Sequence, residues 1–557
     1  MVRNVKNLSN QTYDVVVIGG GIYGVCIAWD ARQRGLSVAL VEKGDFGGAT
    51  SSNSLRVIHG GLRYLQQGDI RRVRRSIYER TAFMRIAPHL VRPLPILIPT
   101  YGRSLRGKQI FSFALLLNKL IGIDLNGRDF PSSRIVSKEE CLRLFPGVNE
   151  RGLTGGVIVY DCQMSNSERL VLSFAHSAQI AGAELANYVE CTDILSEAGR
   201  VSGVKARDTL TGDEFTVLSR VVVNASGPWI DRVLRPLNGS RTRPRVSFSK
   251  AFNLLIERQL IQDHGVGVYS QSTYKDQDAI LHKGSRLFFI MPWQGRSLIG
   301  TAHLRYDGDP ENFQVTEAEI QNFVHEINEA YPVAALKVAD VGHVYSGLLP
   351  VVEGGSIQLV RRHRIYDHYD EYRVDGLISV SGVKFTEARY VAEKAVDAVF
   401  LKMGKKAPKS MTAVTPLNDG QILNIGDYFS QEGRRTSHEL SSEIVRLLIS
   451  HYGSAYAQVL EYLDRSADSG EAISDLSYLT EAEVLYAIKQ EMAQKLADVV
   501  FRRTTLGQAG RLTERSLGLA AAVMARELAW SEETIAREME EVRAVLPHVA
   551  FEREKAA

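Results

Sequence analysis

The spacing of apolar positions changes character along the chain. Val15 to Ile18 is an unbroken, mostly β-branched run, as a parallel strand buried on both faces requires. A helix follows over residues 22 to 34, and "SVALVE" is the next strand. Residues 67 to 87 predict a helix with Ile70, Val73, Ile77 and Met84 on one face. Arg71, Arg72, Arg74 and Arg75 fall off that face and read as solvated. Residues 151 to 235 alternate strands with one helix, and residues 245 to 350 are strand-rich. "GLISVSG" is a further buried strand, followed by a helix from about Thr386 to Met403. "GKKAPKSMTAVTPLNDG" reads as a linker. Beyond it the period is helical, with Leu485, Ile488, Met492, Leu496 and Val499 in step until Gly507.

Composition narrows the class. The chain has 557 residues, 45% apolar and 24% charged, enough for two or three globular domains. A net charge of +3 gives no general attraction to nucleic acid. Four cysteines without CxxC spacing suit a reducing compartment, and no metal site is expected. Met1 to Tyr13 lacks the apolar core of a signal peptide, so a cytoplasmic protein is expected. No run reaches the roughly 18–20 apolar residues of a membrane span. Ile110 to Gly122, behind Arg103, Arg106 and Lys108, reads equally as an interfacial helix on the membrane surface and as a buried one.

Chemistry enters at Gly19, Gly21 and Gly24, a GxGxxG placed directly after a strand and opening a helix. Gly19 permits the tight turn, Gly21 the approach of a pyrophosphate, and Gly24 close helix packing. Glu42 ends the second strand, where a carboxylate holds a ribose hydroxyl. NAD and FAD both satisfy this unit. Two later returns toward the same sheet, "VVVNASGPW" and "LISVSGVKFTEARYVAEKAV", the second opening another helix at Gly382, favour the longer FAD.

"TSSNSLRVIHGGLRYLQ", "RIAPHLVRP", "VVNASGPW", "FFIMPW", "LIGTAHLRYDGDP", "VYSGLLPV" and "VSGVKFTEARYVAE" occur in that order, and "FRRTTLG" follows near the C-terminus. Together they resemble FAD-dependent glycerol-3-phosphate dehydrogenase over about residues 13 to 403. The resemblance implies an α/β protein of D-amino-acid-oxidase type: an FAD-binding Rossmann-like domain, an antiparallel-sheet substrate domain and an all-helical C-terminal domain. The expected boundaries are 13–100, 151–235 and 351–403 for the FAD domain, 101–150 for a helical insertion, 236–350 for the substrate domain and 404–557 for the helical one. It implies hydride transfer from a secondary alcohol to FAD, with quinone or oxygen as final acceptor.

The same resemblance assigns residues. Thr50, Ser51 and Ser52 fall near the pyrophosphate, and Arg56 and His59 near the flavin. Lys43, Ala225, Gly227, Gly382, Phe385 and Thr386 complete the cofactor contacts. Arg63 points into the substrate pocket beside Tyr64, Lys384 lies between flavin and substrate, and Arg361 binds the substrate phosphate. His59, Arg63 and Lys384 are the candidates for handling the hydroxyl proton and the charge that develops as it leaves.

The pocket departs from the family pattern. Leu349 stands where an arginine binds phosphate, a loss of about 2–5 kcal/mol for a buried charged hydrogen bond. Asn253 replaces a frequent histidine, His282 an asparagine, and His303 an aspartate. Arg305, on the same strand face as His303, would supply a replacement charge. These changes lead to an expected substrate that is glycerol 3-phosphate or, in preference, a related polyol phosphate or anionic alcohol. Two alternatives stay open: an amine or amino-acid oxidase, with Arg63–Tyr64 mimicking a carboxylate-binding pair, and a non-catalytic flavin-binding scaffold.

Overall fold

The computed structural model describes residues 1–102, 130–238, 246–270, 287–352, 359–360, 362–432, 440–466, 475–504, 506–507 and 512–545, with isolated positions between 115 and 125. The Ile110–Gly122 segment otherwise lies outside the described residues. Among the described residues no helix is long and apolar enough to cross a membrane.

Among the described residues two sheets organise the chain. The first is eight-stranded, with β1 (Thr12–Ile18), β2 (Val38–Val41), β7 (Glu184–Ala186), β8 (Val189–Glu197), β9 (Arg200–Asp208), β10 (Glu214–Asn224), β16 (Arg364–Asp367) and β17 (Leu377–Ser381). Its order is β16-β17-β10-β1-β2-β7, and β17, β10, β1, β2 and β7 run parallel. Val15, Val16 and Val17 are fully buried because helices cover one face of β1 and the β8–β9 ribbon side covers the other. Helix α1 (Ile22–Gln33) packs on helices Ser167–Ile180 and Ala388–Lys402, and Trp29 meets Phe174 edge-on at 5.4 Å. Each such fully buried side chain contributes about 1.5–3 kcal/mol.

The second sheet is nine-stranded, with β3 (Val57–Ile58), β4 (Val91–Tyr101), β5 (Arg134–Val136), β6 (Leu153–Met164), β11 (Ser247–Ile256), β12 (Gly265–Tyr269), β13 (Leu287–Trp293), β14 (Arg296–Tyr306) and β15 (Val341–Val351). It is antiparallel apart from the β12–β4 pair. Helix Glu317–Ala330 closes its outer face through Phe323, edge-on to Phe252 and Phe288.

The expected segment boundaries therefore need correcting. Residues 91–100 and 153–164 form the antiparallel partners β4 and β6 of the second sheet, not part of the FAD sheet. Their long apolar runs pair with each other, which periodicity along a single strand does not reveal. The supposed linker is also no linker: it is strapped to the first domain. Ser410 and Thr412 donate to the buried Asp30, the Leu417 amide donates to Ile86 O, and Asp419 accepts from Ser173. In helix α2 (Ile70–Ile86) the start is set by Gly68, left-handed at φ +69°, and by Asp69, which caps Arg72 N; a separate 3₁₀ turn covers Leu62–Gln67.

Candidate active site

A single cavity of about 1360 Å³ runs from the β1–α1 turn to the junction of the two sheets. That exceeds an ordinary ligand pocket of roughly 300–1,000 Å³ and suits a dinucleotide with substrate beside it.

One end is built by the βαβ unit. Gly19 has φ +105°, and a Cβ there would stand 2.7 Å from Ala225 O. A Cβ on Gly24 would lie 1.8 Å from Gly19 O, so only glycine lets α1 start this close to β1. The open α1 N-terminus faces the cavity, and Ser51 Oγ accepts from Ile22 N at 3.0 Å. Glu42 lines the wall and accepts from Gly20 N at 2.6 Å and Gly44 N at 2.9 Å. Burial pushes its carboxyl upward, against the opposing pull of those two amides. Lys43, Thr50, Ala225 and Gly227 line the same end. The Lys43 ammonium sits 3.9 Å from the Trp229 ring centroid. A helix N-terminus for phosphate, a carboxylate at the second strand and no Cβ in the way match the pyrophosphate and ribose of FAD.

The other end lies between the sheets. His59, Tyr64, Asp161, Asn253, His303, Leu349, Gly382, Lys384, Phe385 and Thr386 line it. His59 is half-exposed; its Nδ1 is 2.9 Å from Asp161 Oδ2, and its amide donates to Thr386 Oγ1. Asp161 also accepts from Gly60 N at 2.6 Å. Burial alone raises the Asp161 carboxyl, but the bond and charge of His59, with Arg80 and the Gly60 amide, hold it below its usual range. Lys384 Nζ donates to Tyr64 OH and lies 4.1 Å from that ring's centroid. Tyr23 OH, bonded to both the Lys384 amide and its carbonyl, fixes the turn from below. A Cβ on Gly382 would reach within 2.3 Å of that hydroxyl, which accounts for the glycine. Asn253 is buried and its Oδ1 accepts from Thr301 Oγ1 at 2.8 Å; His303 Nδ1 is 3.3 Å from Ser249 Oγ.

Three expected site residues are corrected. Arg56 does not reach the cavity: it is fully buried, paired to Glu168 at 2.6 and 2.8 Å and stacked 4.4 Å from the Trp293 centroid, so it braces the core. Ser52 turns its hydroxyl back to Gly47 O and does not line the cavity. Arg305 is exposed and paired with Asp307 at 2.6 Å, so it gives no pocket charge. His282, Arg361 and the Arg63 side chain lie outside the described residues.

Sequence reasoning missed several residues. Asp161, which anchors His59, sits in a strand that gives no motif. Arg72, which the period of α2 places on a solvated face, is buried and lines the cavity 4.0 Å from the Tyr64 centroid. Lys495 and Arg502 of the C-terminal domain line the nucleotide end. "FRRTTLG" was the available signal for Arg502.

The comparisons agree with this geometry. A family model described as FAD dependent oxidoreductase matches residues 14–397, and one described as the C-terminal domain of alpha-glycerophosphate oxidase matches residues 416–535. The glycerol-3-phosphate dehydrogenase of Synechocystis is 34% identical over 513 residues, covering 91% of each chain. That of Mycobacterium leprae is 31% identical over 540 residues, 96% of this chain and 88% of the relative. The structure of glycerol-3-phosphate dehydrogenase from Bacillus halodurans complexed with FAD superposes with a TM-score of 0.77 at 26% identity, covering 97% and 96% of the two chains. The GxGxxG turn, the carboxylate at β2 and the extended cavity thus have a common explanation: the chain is an enzyme of the FAD-dependent oxidoreductase family, in the group that contains the glycerol-3-phosphate dehydrogenases.

Proposed function

We propose that this enzyme oxidises the secondary alcohol of glycerol 3-phosphate to the ketone. The observation that carries the reading is the chamber where the His59–Asp161 pair and the Lys384 ammonium face one space at the end of the FAD groove. FAD held along Gly19, Gly21, Ser51 and Glu42 would supply the hydride acceptor. The chain's own groups handle the proton and the charge. Asp161 engages His59 Nδ1, which leaves Nε2 to take the hydroxyl proton. Lys384, held by Tyr64, stabilises the negative charge that develops on the substrate oxygen. Ile96, Ile98 and Val159 of the second sheet give the chamber an apolar wall, which strengthens both interactions.

Near-full-length relatives named for glycerol 3-phosphate support that substrate over the related polyol phosphates favoured by Leu349, Asn253 and His303. They support an alcohol over an amino acid as well. The alpha-glycerophosphate oxidase of Streptococcus pyogenes is 28% identical over 565 residues, so quinone and oxygen both remain candidate acceptors. The test is product analysis with a dye acceptor: one dihydroxyacetone phosphate per two electrons delivered supports the reading. Turnover of amino acids with none of glycerol 3-phosphate defeats it.

A further inference from the structure

We infer that Arg72 takes part in recognising the substrate's phosphate, with Arg71, Arg75 and Arg362 forming an outer surface that draws the dianion toward it. The inference deepens the proposed function and rests on it.

A phosphomonoester of charge near −2 calls for more positive charge than Lys384 alone brings to the substrate end of the cavity. Position 349 offers only leucine, and Arg305 is turned outward to Asp307. Arg72 leaves α2 one turn ahead of Ser76, on the face that packs against the Gly61 turn; a Cβ on Gly61 would lie 2.8 Å from Ser76 Cβ. This contact carries the Arg72 guanidinium over Tyr64 and into the cavity wall. Its centre is 4.0 Å from the ring centroid, and Lys384 Nζ is 4.1 Å from the same centroid. Both cations thus lie close to one phenol ring, where they repel each other. Glu387 offsets part of that repulsion at 3.7 Å from Arg72 Nε, but the same carboxylate also faces His363 at 3.6 Å.

Arg72 also lines a second hollow of about 110 Å³, shared with Asp69, Arg71, Arg75, Arg362 and Glu387. At roughly 30 Å³ per water this is room for several waters or one tetrahedral oxyanion. Four arginines against two carboxylates leave the hollow positive. Arg362 meets Asp69 only at 3.8 Å, and among the described residues Arg71 and Arg75 pair with no carboxylate. Arg75 is held over the Tyr390 ring at 4.0 Å. A positive hollow joined through Arg72 to the cavity is a steering surface for an anionic substrate, and a planar guanidinium at its inner end suits bidentate phosphate recognition.

The test compares sn-glycerol 3-phosphate with glycerol in wild type, Arg72→Met, Arg72→Gln, Arg72→Lys and the exposed control Arg74→Gln, which pairs with Asp124. Arg72→Met and Arg72→Gln are expected to raise KM for sn-glycerol 3-phosphate by roughly 30-fold or more, with a smaller change in kcat. The preference for sn-glycerol 3-phosphate over glycerol should fall in parallel, and Arg72→Lys should restore part of it. Inorganic phosphate, titrated against the flavin absorbance spectrum, should bind the two neutral variants correspondingly more weakly. The double variant Arg71→Gln/Arg75→Gln should lower kcat/KM mainly at low ionic strength. A preference ratio and phosphate affinity within about threefold of wild type in both neutral variants, each with normal flavin content, would overturn the inference. A wild-type enzyme whose flavin no phosphorylated alcohol reduces would instead overturn the functional reading beneath it.

Discussion

Lys384 and His59 divide the work that an alcohol oxidation asks of a protein. Lys384 is set by Tyr23 from the backbone side and by Tyr64 at the ammonium, so it is positioned before substrate arrives. Replacing it with methionine removes a preorganised charge and should lower kcat by about 10²–10³-fold with little change in FAD content, as stopped-flow flavin reduction would show. Asp161→Asn keeps the shape but weakens the hold on His59 Nδ1. It should lower kcat by about tenfold or more at unchanged FAD content, which a change in folding alone would not do. At this scale the sequence was legible wherever a residue lies in a local motif. Gly19, Glu42, Ser51 and Lys384 line the cavity as their motifs lead one to expect. Arg56 and Ser52 belong to the same stretch and do not, because Glu168, Trp293 and the Gly47 carbonyl, distant or hidden in sequence, take their polar groups.

Among the elements, the β1–α1 turn is the most demanding. Gly24→Ala would place a methyl 1.8 Å from Gly19 O, and the helix would have to move off the strand. Loss of stoichiometric FAD from the purified protein is the expected outcome, measured by flavin absorbance per chain. Retention of full flavin would show that the turn has more slack than its geometry indicates. This βαβ unit was readable because its apolar runs, glycines and carboxylate all lie within about 30 residues. The β4–β6 pairing was not, because β4 and β6 are separated by the whole insertion and identify each other only by pairing. Arg72 was misread for a related reason. Its helical face is determined by the Gly61 turn and Tyr64 packed against it, not by the period of α2 alone.

The whole molecule is tied together at Asp45, three residues beyond Glu42. Arg503 and Arg502 of the C-terminal domain both engage its carboxylate, and Asn187 bridges it to Met492 O. Arg169 adds a second tie to Glu491 at 2.6 Å. Burial pushes the Asp45 carboxyl up, but the two guanidiniums outweigh this and hold it at about 2, below the usual carboxylate range. A depressed carboxyl stabilises the fold above its unfolded pKa, and that contribution is lost as pH falls through the folded value. The contribution of the Asp45 tie to docking should therefore be constant from pH 8 to about 5 and fall away only below about pH 4. Limited proteolysis across that range would show it. Asp45→Asn leaves buried guanidiniums undercompensated and should cost about 3–5 kcal/mol, read as a lowered unfolding midpoint together with weaker FAD retention.

The central claim is that this cavity joins FAD to a phosphorylated secondary alcohol, and anaerobic flavin titration tests it most directly. Purified yellow enzyme mixed with sn-glycerol 3-phosphate should lose its oxidised flavin absorbance completely, with glycerol far less effective and amino acids inert. Flavin that stays oxidised with sn-glycerol 3-phosphate and other phosphorylated alcohols, yet bleaches with an amino acid, would contradict the account.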